Sequence, residues 1–146
     1  DSTKLIGAGS WAAYWYNGYL ISSEIGRGLD IFTLQPGPFL TQNEIDAAKL
    51  VHVDYLNVQD QQKIVWPTSF VVARAYVDQL ERSRGLNAGR LTAVRGALGR
   101  AEKLSGQARR RALTQLATQL GGDAQQSSDA AKVRLLADEV RELAAQ

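Results

Sequence analysis

Residues 10–34 read SWAAYWYNGYLISSEIGRGLDIFTL, and two turn signals divide this stretch into three short segments. The first signal is Asn17-Gly18, because both residues accept the positive φ angles that a two-residue hairpin turn requires. The second is the Gly-Arg-Gly of residues 26–28, after which Leu29 and Ile31 alternate onto one face. The stretch therefore predicts an antiparallel β-meander with strands at residues 10–16, 19–25 and 29–34.

The segment after the meander ends the sheet and starts a helix. Residues 35–38, Gln-Pro-Gly-Pro, contain two prolines, which donate no backbone hydrogen bond and so stop strand pairing. Thr41 and Glu44 fit a capping box, in which each side chain accepts a hydrogen bond from the other residue's backbone N–H. We expect a short helix here, followed by an ordered connector that packs Tyr55 and Trp66.

The second half of the chain has the pattern of four helices. Candidate N-caps precede three of them, at Thr68 or Ser69, at Ser105, and at Ser127 or Ser128. Glycines mark two helix ends, at Gly85 and at Gly121-Gly122. Apolar residues recur at spacings of three and four and form one stripe on each helix. The stripes are Phe70, Ala73, Val77 and Leu80; Leu91, Val94, Leu98 and Ala101; Leu113, Leu116 and Leu120; and Val133, Leu136, Val140 and Leu143.

These patterns together predict an α+β fold that is mainly α: a short N-terminal antiparallel β-meander followed by a C-terminal antiparallel helical bundle. Residues 1–40 form the meander, residues 41–66 the capped helix and connector, and residues 67–146 the bundle. Gly96 and Gly99 fall inside the second bundle helix. Glycine lowers helix stability there, unless it permits the close approach of another helix.

Charge and aromatic content differ between the two halves. Residues 1–66 carry four basic and seven acidic side chains, whereas residues 67–146 carry thirteen basic and eight acidic ones. All three tryptophans and four of the five tyrosines precede Pro67. The absence of cysteine excludes disulfides and thiolate chemistry. The absence of methionine indicates either maturation of a longer precursor or a sequence that is given without its first residues.

Two motifs in the meander carry a resemblance to a known family. They are Trp11-Ala12-Ala13-Tyr14-Trp15-Tyr16-Asn17-Gly18-Tyr19 and Ser23-Glu24-Ile25-Gly26-Arg27-Gly28-Leu29-Asp30-Ile31-Phe32. Both resemble the closing segment of bacterial LVIVD-repeat proteins, and residues 40–49 and 66–76 are similar to the C-terminal tails of such proteins. The resemblance implies an exported protein with a β-propeller-like domain, of which residues 1–40 are one partial blade. It implies no catalytic residues and no cofactor.

The aromatic residues of the meander are the strongest candidates for an interaction site. Neighbouring residues on a strand point to opposite faces, so one face should cover a core and the other should present aromatic side chains. Packing against the helices of the same chain is an equally good interpretation. The candidate interface consists of Trp11, Tyr14, Trp15, Tyr16 and Tyr19.

The helical half carries a candidate basic surface. A surface of this kind would suit nucleic acid, anionic lipid or an acidic protein. A solvated helix face with acidic neighbours is the favoured alternative, because aromatic residues that could stack on bases are missing from this half. The residues are Arg90, Arg95, Arg100 and Lys103 on one helix, and Arg109, Arg110 and Arg111 on the next.

Candidates for catalysis and metal binding are weak. His52 is the only histidine, and it would form an acid–base pair with Asp54 if the two shared one face of a strand. Asp30 could bind a cation, although a turn or strand-edge aspartate is the favoured interpretation. The glycine-rich residues 7–9 lack the helix and lysine of a phosphate loop. We therefore expect no catalytic residue, no metal and no cofactor.

The leading functional expectation is a non-catalytic, extracytoplasmic protein–protein interaction module, located in the periplasm, at the cell surface or in the medium. One version is an accessory subunit on the periplasmic face of a respiratory or photosynthetic membrane complex. No apolar run is long enough to cross a membrane, and nucleic acid is not a favoured partner. The alternatives are a polyanion-binding basic helical domain and, last, a hydrolase that uses His52.

Overall fold

The computed structural model describes residues 9–26, 28–60 and 63–146. The strands are β1 (Ser10–Tyr16), β2 (Tyr19–Glu24) and β3 (Gly28–Phe32). The helices are α1 (Gln42–Lys49), α2 (Phe70–Arg82), α3 (Ala88–Glu102), α4 (Gly106–Asp123) and α5 (Ala130–Ala145). The predicted α+β, mainly α fold is confirmed, with the meander first and the helical bundle after it.

The sheet is an antiparallel meander in the order β1-β2-β3. Asn17 has a φ of 47° and Gly18 a φ of 96°, so the first turn is the predicted hairpin turn with two left-handed residues. Arg27, in the second predicted turn, lies outside the described residues, as do residues 7 and 8 of the glycine-rich segment. The third strand ends at Phe32, two residues earlier than the alternation indicated.

The bundle closes on itself through four helix–helix contacts. Helix α2 packs against α3 and α5, and α4 packs against the same two helices. The ends confirm the antiparallel arrangement, because Arg90 at the start of α3 pairs with Asp123 at the end of α4. The predicted stripes form the core, with every stripe residue buried except the half-buried Phe70. Ser69 is the N-cap of α2, and its hydroxyl accepts the N–H of Val72 at 3.1 Å.

Helix α2 ends differently from the sequence expectation. The left-handed residue is Arg84, with a φ of 55°, and not Gly85. The N–H of Gly85 donates to the carbonyl of Leu80 at 2.9 Å, and that of Arg84 to the carbonyl of Glu81 at 3.1 Å. These two bonds define a Schellman motif. Gly85 is required for space: a Cβ atom there would lie 2.7 Å from Leu80 Cδ2 and 2.9 Å from Asp129 Cβ.

The predicted cap of the last helix is wrong. The N-cap of α5 is Asp129, whose carboxylate accepts the N–H of Lys132, and not Ser127 or Ser128. The two serine hydroxyls instead donate to carbonyls in the turn between α2 and α3, Ser127 to Gly85 at 2.6 Å and Ser128 to Arg84 at 3.1 Å. Local sequence could not distinguish these uses, because the acceptors lie more than forty residues away.

Helix α1 attaches to the outside of the bundle along α2. The predicted capping box is present, with Thr41 and Glu44 bonded reciprocally. The buried Glu44 carboxylate also accepts two hydrogen bonds from the Arg82 guanidinium, at 2.9 and 2.5 Å. These bonds, more than any other contact, lower the pKa of Glu44 from 4.5 to about 2.

The connector between α1 and α2 does not pack its aromatic residues as predicted. Tyr55 is 70% exposed, and Trp66 is also exposed.

Gly96 and Gly99 of α3 do not serve the close approach of another helix. Nothing lies within 4 Å of a Cβ atom built at Gly99, and only the flexible Arg100 guanidinium lies near Gly96.

Two glycine-to-alanine substitutions should have opposite effects. Gly99→Ala should raise the free energy of unfolding by about 0.5–1 kcal/mol, because the new methyl group meets open space inside a helix. Gly85→Ala should lower it by about 1–3 kcal/mol, because Leu80 and Asp129 must move. Urea unfolding of the two variants measures both effects, and a stabilised Gly85→Ala would refute the packing described at that turn.

The ion pair of Glu44 should make stability acid-sensitive. The folded pKa lies below the unfolded one, so its contribution is complete above pH 4.5 and is lost as the pH falls towards about 2. Glu44→Gln should remove about 2 kcal/mol at neutral pH, allowing for solvent around Arg82, and should flatten this part of the pH profile. Glu102→Gln, at the more exposed Arg74–Glu102 pair, is the control and should keep the wild-type slope. Equal slopes for wild type and Glu44→Gln would contradict this assignment.

Candidate interaction site

Cross-strand pairing sorts the side chains of the sheet onto two faces. Tyr14, Ile21 and Ile31 are directly paired and form a row across all three strands. The face that carries this row is here called the apolar face, and its members are Tyr14, Tyr16, Tyr19, Ile21, Leu29 and Ile31. The opposite face has Trp15, Leu20 and Phe32 near the hairpin turn and polar residues at its other end.

No described strand contacts a helix, and the apolar face is covered only in part. Tyr16 and Ile21 are half-buried, and the Tyr16 hydroxyl donates to the carbonyl of Asp54 in the connector at 3.5 Å. Leu29 is 58% exposed and Ile31 62% exposed, and Tyr14 and Tyr19 are exposed beside them. A contiguous exposed apolar patch of this kind marks an interaction site more often than isolated apolar residues do.

The five residues of the predicted interface are divided by the sheet. Tyr14, Tyr16 and Tyr19 lie on the apolar face, Trp15 lies half-buried on the opposite face, and Trp11 is 77% exposed beside a bulge in β1. The predicted set missed Leu29 and Ile31, although their alternation already placed both on one face.

The polar side chains at the far end of the opposite face have partners within the chain. The buried Glu24 carboxylate accepts the backbone N–H groups of Gly9 and Gly26, both at 2.8 Å. Asp30, the candidate cation ligand, pairs in register with the buried Ser22. Among the described residues, no group of three histidine or carboxylate side chains is placed to hold a metal ion.

Asn17 attaches the hairpin turn to the connector. Its side-chain amide donates to the carbonyl of Val53 and accepts the N–H of Val53, both at 2.9 Å. This pair of hydrogen bonds resembles the two backbone bonds that a residue pair exchanges in an antiparallel sheet. The buried Gly18 beside it packs against the end of α1, where a Cβ atom would lie 3.4 Å from Lys49 Cγ. The hairpin turn therefore docks on α1 and on the start of the connector.

A groove of about 470 Å³ runs between β1 and the connector, and we call it the β1 groove. Its β1 wall is formed by Tyr14 and Trp15. The connector wall is mainly apolar and consists of Val51, Val53, Leu56, Val58, Ile64 and Val65. His52 and Lys63 line it too, and no carboxylate is among its described lining residues.

His52 and Asp54 are not arranged as the predicted acid–base pair. Both side chains are exposed. In the part of the chain that the structure describes, no hydrogen bond or ion pair joins the imidazole to a carboxylate or hydroxyl. The geometry needed for a hydrolase based on His52 is therefore not assembled there.

Two arginines of the predicted basic surface are paired with carboxylates of the bundle. Arg90 pairs with Asp123 at 2.6 Å. Arg95 bridges Asp78 and Glu81 at 2.9 and 2.7 Å, which raises the pKa of its guanidinium. Such paired guanidinium groups offer less charge to a polyanion than free ones.

Two members of the Arg109-Arg110-Arg111 run bond carbonyls at the ends of other helices. Arg109 donates to the carbonyl of Leu104 at 2.8 Å, just past the end of α3, and stacks over the Phe70 ring at 5.9 Å. Arg110 donates to the carbonyl of Ala144 in the last turn of α5 at 3.2 Å. Arg109 also donates to the carbonyl of Glu102 at 3.3 Å, and the carbonyls of Glu102 and Ala144 are among those that a helix end leaves unpaired. Arg111 bonds Gln107 on its own helix. Arg100, Lys103, Arg110 and Arg111 are all exposed.

A buried carboxylate also belongs to the bundle rather than to a site. Glu139 of α5 accepts the backbone N–H of Ser69 at 2.7 Å and so caps α2 from a neighbouring helix. Burial raises the pKa of Glu139, and this hydrogen bond partly offsets the rise. Burial, with the nearby Glu139 and Glu142 carboxylates, raises the pKa of Tyr76.

Comparison of the chain with models of known protein families, with curated proteins and with solved structures finds no match. Across the described residues, no helix combines the length and apolar character needed to cross a membrane. Function must therefore be argued from the apolar face and the β1 groove.

Asn17→Gly should remove the attachment to Val53 without changing the hairpin turn. Glycine keeps the left-handed turn, but the two bonds to Val53 are lost. The Val53 amide should exchange with solvent about fivefold faster, in line with the roughly 1 kcal/mol that one hydrogen bond contributes. Asn17→Asp keeps the acceptor and should give an intermediate rate. Unchanged exchange at Val53 in Asn17→Gly would mean that the attachment is not formed in solution.

Proposed function

We propose that this chain is a non-catalytic protein–protein interaction module and that the apolar face is its docking surface. The observation that carries the proposal is the exposure of Leu29 and Ile31, at 58% and 62%, on a face that no described helix covers. Tyr14 and Tyr19 extend the same surface, and large aromatic side chains of this kind are common anchors at interfaces.

The energetics of the sheet support an external partner. Three short strands are marginal in water without a layer to cover them. Each square ångström of apolar surface that a partner removes from water contributes about 25 cal/mol. The bundle cannot supply that cover, because its apolar stripes are already buried against one another.

We further propose that the module belongs to an exported bacterial protein and works in the periplasm, at the cell surface or in the medium. The support is the resemblance of residues 11–32 to the closing blade of LVIVD-repeat proteins, in which further blades would lie beside this one. An accessory role on the periplasmic face of a respiratory or photosynthetic complex is the version that we favour. The paired arginines of the bundle give no comparable support to polyanion binding.

The docking surface can be tested with matched serine substitutions. The tagged chain is isolated from its native host after crosslinking, and the size of its assembly is measured by sedimentation. Leu29→Ser combined with Ile31→Ser should release the chain as a monomer, because both substitutions remove apolar contact from the proposed interface.

Leu135→Ser is the control, because Leu135 is a comparably exposed leucine, at 50%, on helix α5 of the bundle. It should leave the assembly intact. A double variant that assembles like wild type would contradict the proposed surface. Recovery of the wild-type chain from the cytoplasmic fraction alone would contradict the extracytoplasmic setting.

A further inference from the structure

We infer that the β1 groove receives an extended, acidic segment of a partner polypeptide, which adds as a strand to the outer edge of β1. The inference rests on the proposed interaction function and makes it more specific. It names the edge of the sheet that is used and the chemistry of the segment that binds there.

The backbone of β1 offers unpaired groups on its outer edge. In a two-residue hairpin the residues that flank the turn exchange both hydrogen bonds, and the pattern then alternates along the strands. Tyr16 and Tyr14 therefore bond β2, and the N–H and C=O groups of Trp15 and Ala13 point away from it. Within the described residues, nothing else bonds these groups of Trp15 and Ala13.

The β1 groove lies along this edge. Its lining includes both Tyr14 and Trp15, whose side chains point to opposite faces of the sheet. A groove that contacts both must follow the edge of the strand rather than either face. The far wall begins at Val53, which the Asn17 amide holds through two bonds of 2.9 Å.

An extended polypeptide fits these features better than a compact ligand. Unpaired donors and acceptors on alternate residues of an edge strand match the backbone of another strand. The apolar connector wall, with Leu56, Val58 and Ile64, then receives side chains of the added strand. Main-chain bonds would give affinity, and these side-chain contacts would give specificity.

Charge selects the kind of segment. Lys63 and His52 line the groove, and no carboxylate is among its described lining residues. An aspartate or glutamate beside the added strand would complement Lys63, whereas a basic segment would meet like charge.

The bulge between Ser10 and Ala12 interrupts the edge of β1 only at the end far from the groove. The part of β1 beside the groove pairs with β2 in regular register.

A fluorescence experiment tests strand addition directly. Trp11→Phe with Trp66→Phe leaves Trp15 as the only tryptophan of the full chain. The probe is a seven-residue peptide of alternating valine and threonine with a glutamate at each end. It should shift the Trp15 emission and saturate at micromolar concentration. N-methylation of alternate peptide amides should weaken binding at least about tenfold, since it removes the backbone donors that strand addition uses.

The charge requirement has its own variant. Lys63→Glu should weaken binding of the acidic peptide at least about tenfold. The same variant should bind a lysine-flanked version of the peptide more tightly than the parent chain does. Lys103→Glu, at the exposed end of α3, makes the same charge reversal away from the groove lining and should leave the affinity near that of the parent.

Three results would overturn the inference. The first is that millimolar acidic peptide causes no shift of the Trp15 emission, and the second is that the N-methylated peptide binds as tightly as the unmodified one. The third is that decanoate saturates the emission shift in place of the peptide, which would identify a small-ligand site. The Leu29→Ser, Ile31→Ser chain keeps the groove and separates the two proposals. If the peptide does not bind but the native assembly still depends on Leu29 and Ile31, only the inference about the groove is refuted. If the peptide does not bind and the assembly is also independent of Leu29 and Ile31, the proposed function is refuted too.

Discussion

The four bundle helices bury their apolar stripes against one another, and the arrangement of the rest of the chain depends on this closure. Each of α2 to α5 contacts two of the others, so no stripe is left to face the sheet. The described contacts that join the sheet to α1 and the connector are therefore made at the hairpin turn and at the flanking Tyr16, and not through a shared core. Asn17 is central to that junction, because its amide pairs with the Val53 backbone while Gly18 fits closely against α1.

This construction makes the two parts of the molecule physically different. The bundle is stabilised by a buried aliphatic core and by hydrogen bonds between its turns, such as that from Ser127 to the Gly85 carbonyl. On one face of the sheet, the buried Glu24 carboxylate accepts backbone hydrogen bonds, and on the other face Tyr14, Tyr19 and Ile31 are exposed. A region with few buried apolar contacts opens more readily than a packed core. Covering that region is the contribution that a docking partner would make.

Features set by local rules were predictable from the sequence. The turn at Asn17-Gly18 follows from residue types that tolerate positive φ, and the Thr41–Glu44 capping box follows from a spacing of three residues. The apolar stripes follow from helical periodicity. Features set by distant contacts were not predictable. Ser127 looked like a cap, but its acceptor is at Gly85, and Tyr55 looked like a core residue, but it is 70% exposed. The arginine run looked like a surface patch because the helix ends that it caps lie on other helices.

The central claim is that the apolar face is open in the isolated chain and covered in the native assembly. Carbene footprinting of the purified chain and of the assembly, read out residue by residue by mass spectrometry, tests both halves of this claim at once. We predict strong labelling of Tyr14, Leu29 and Ile31 in the isolated chain and loss of that labelling in the assembly, with Leu135 labelled equally in both. Protection of Leu29 and Ile31 in the isolated monomer, or equal labelling of these residues in both samples, would contradict the account.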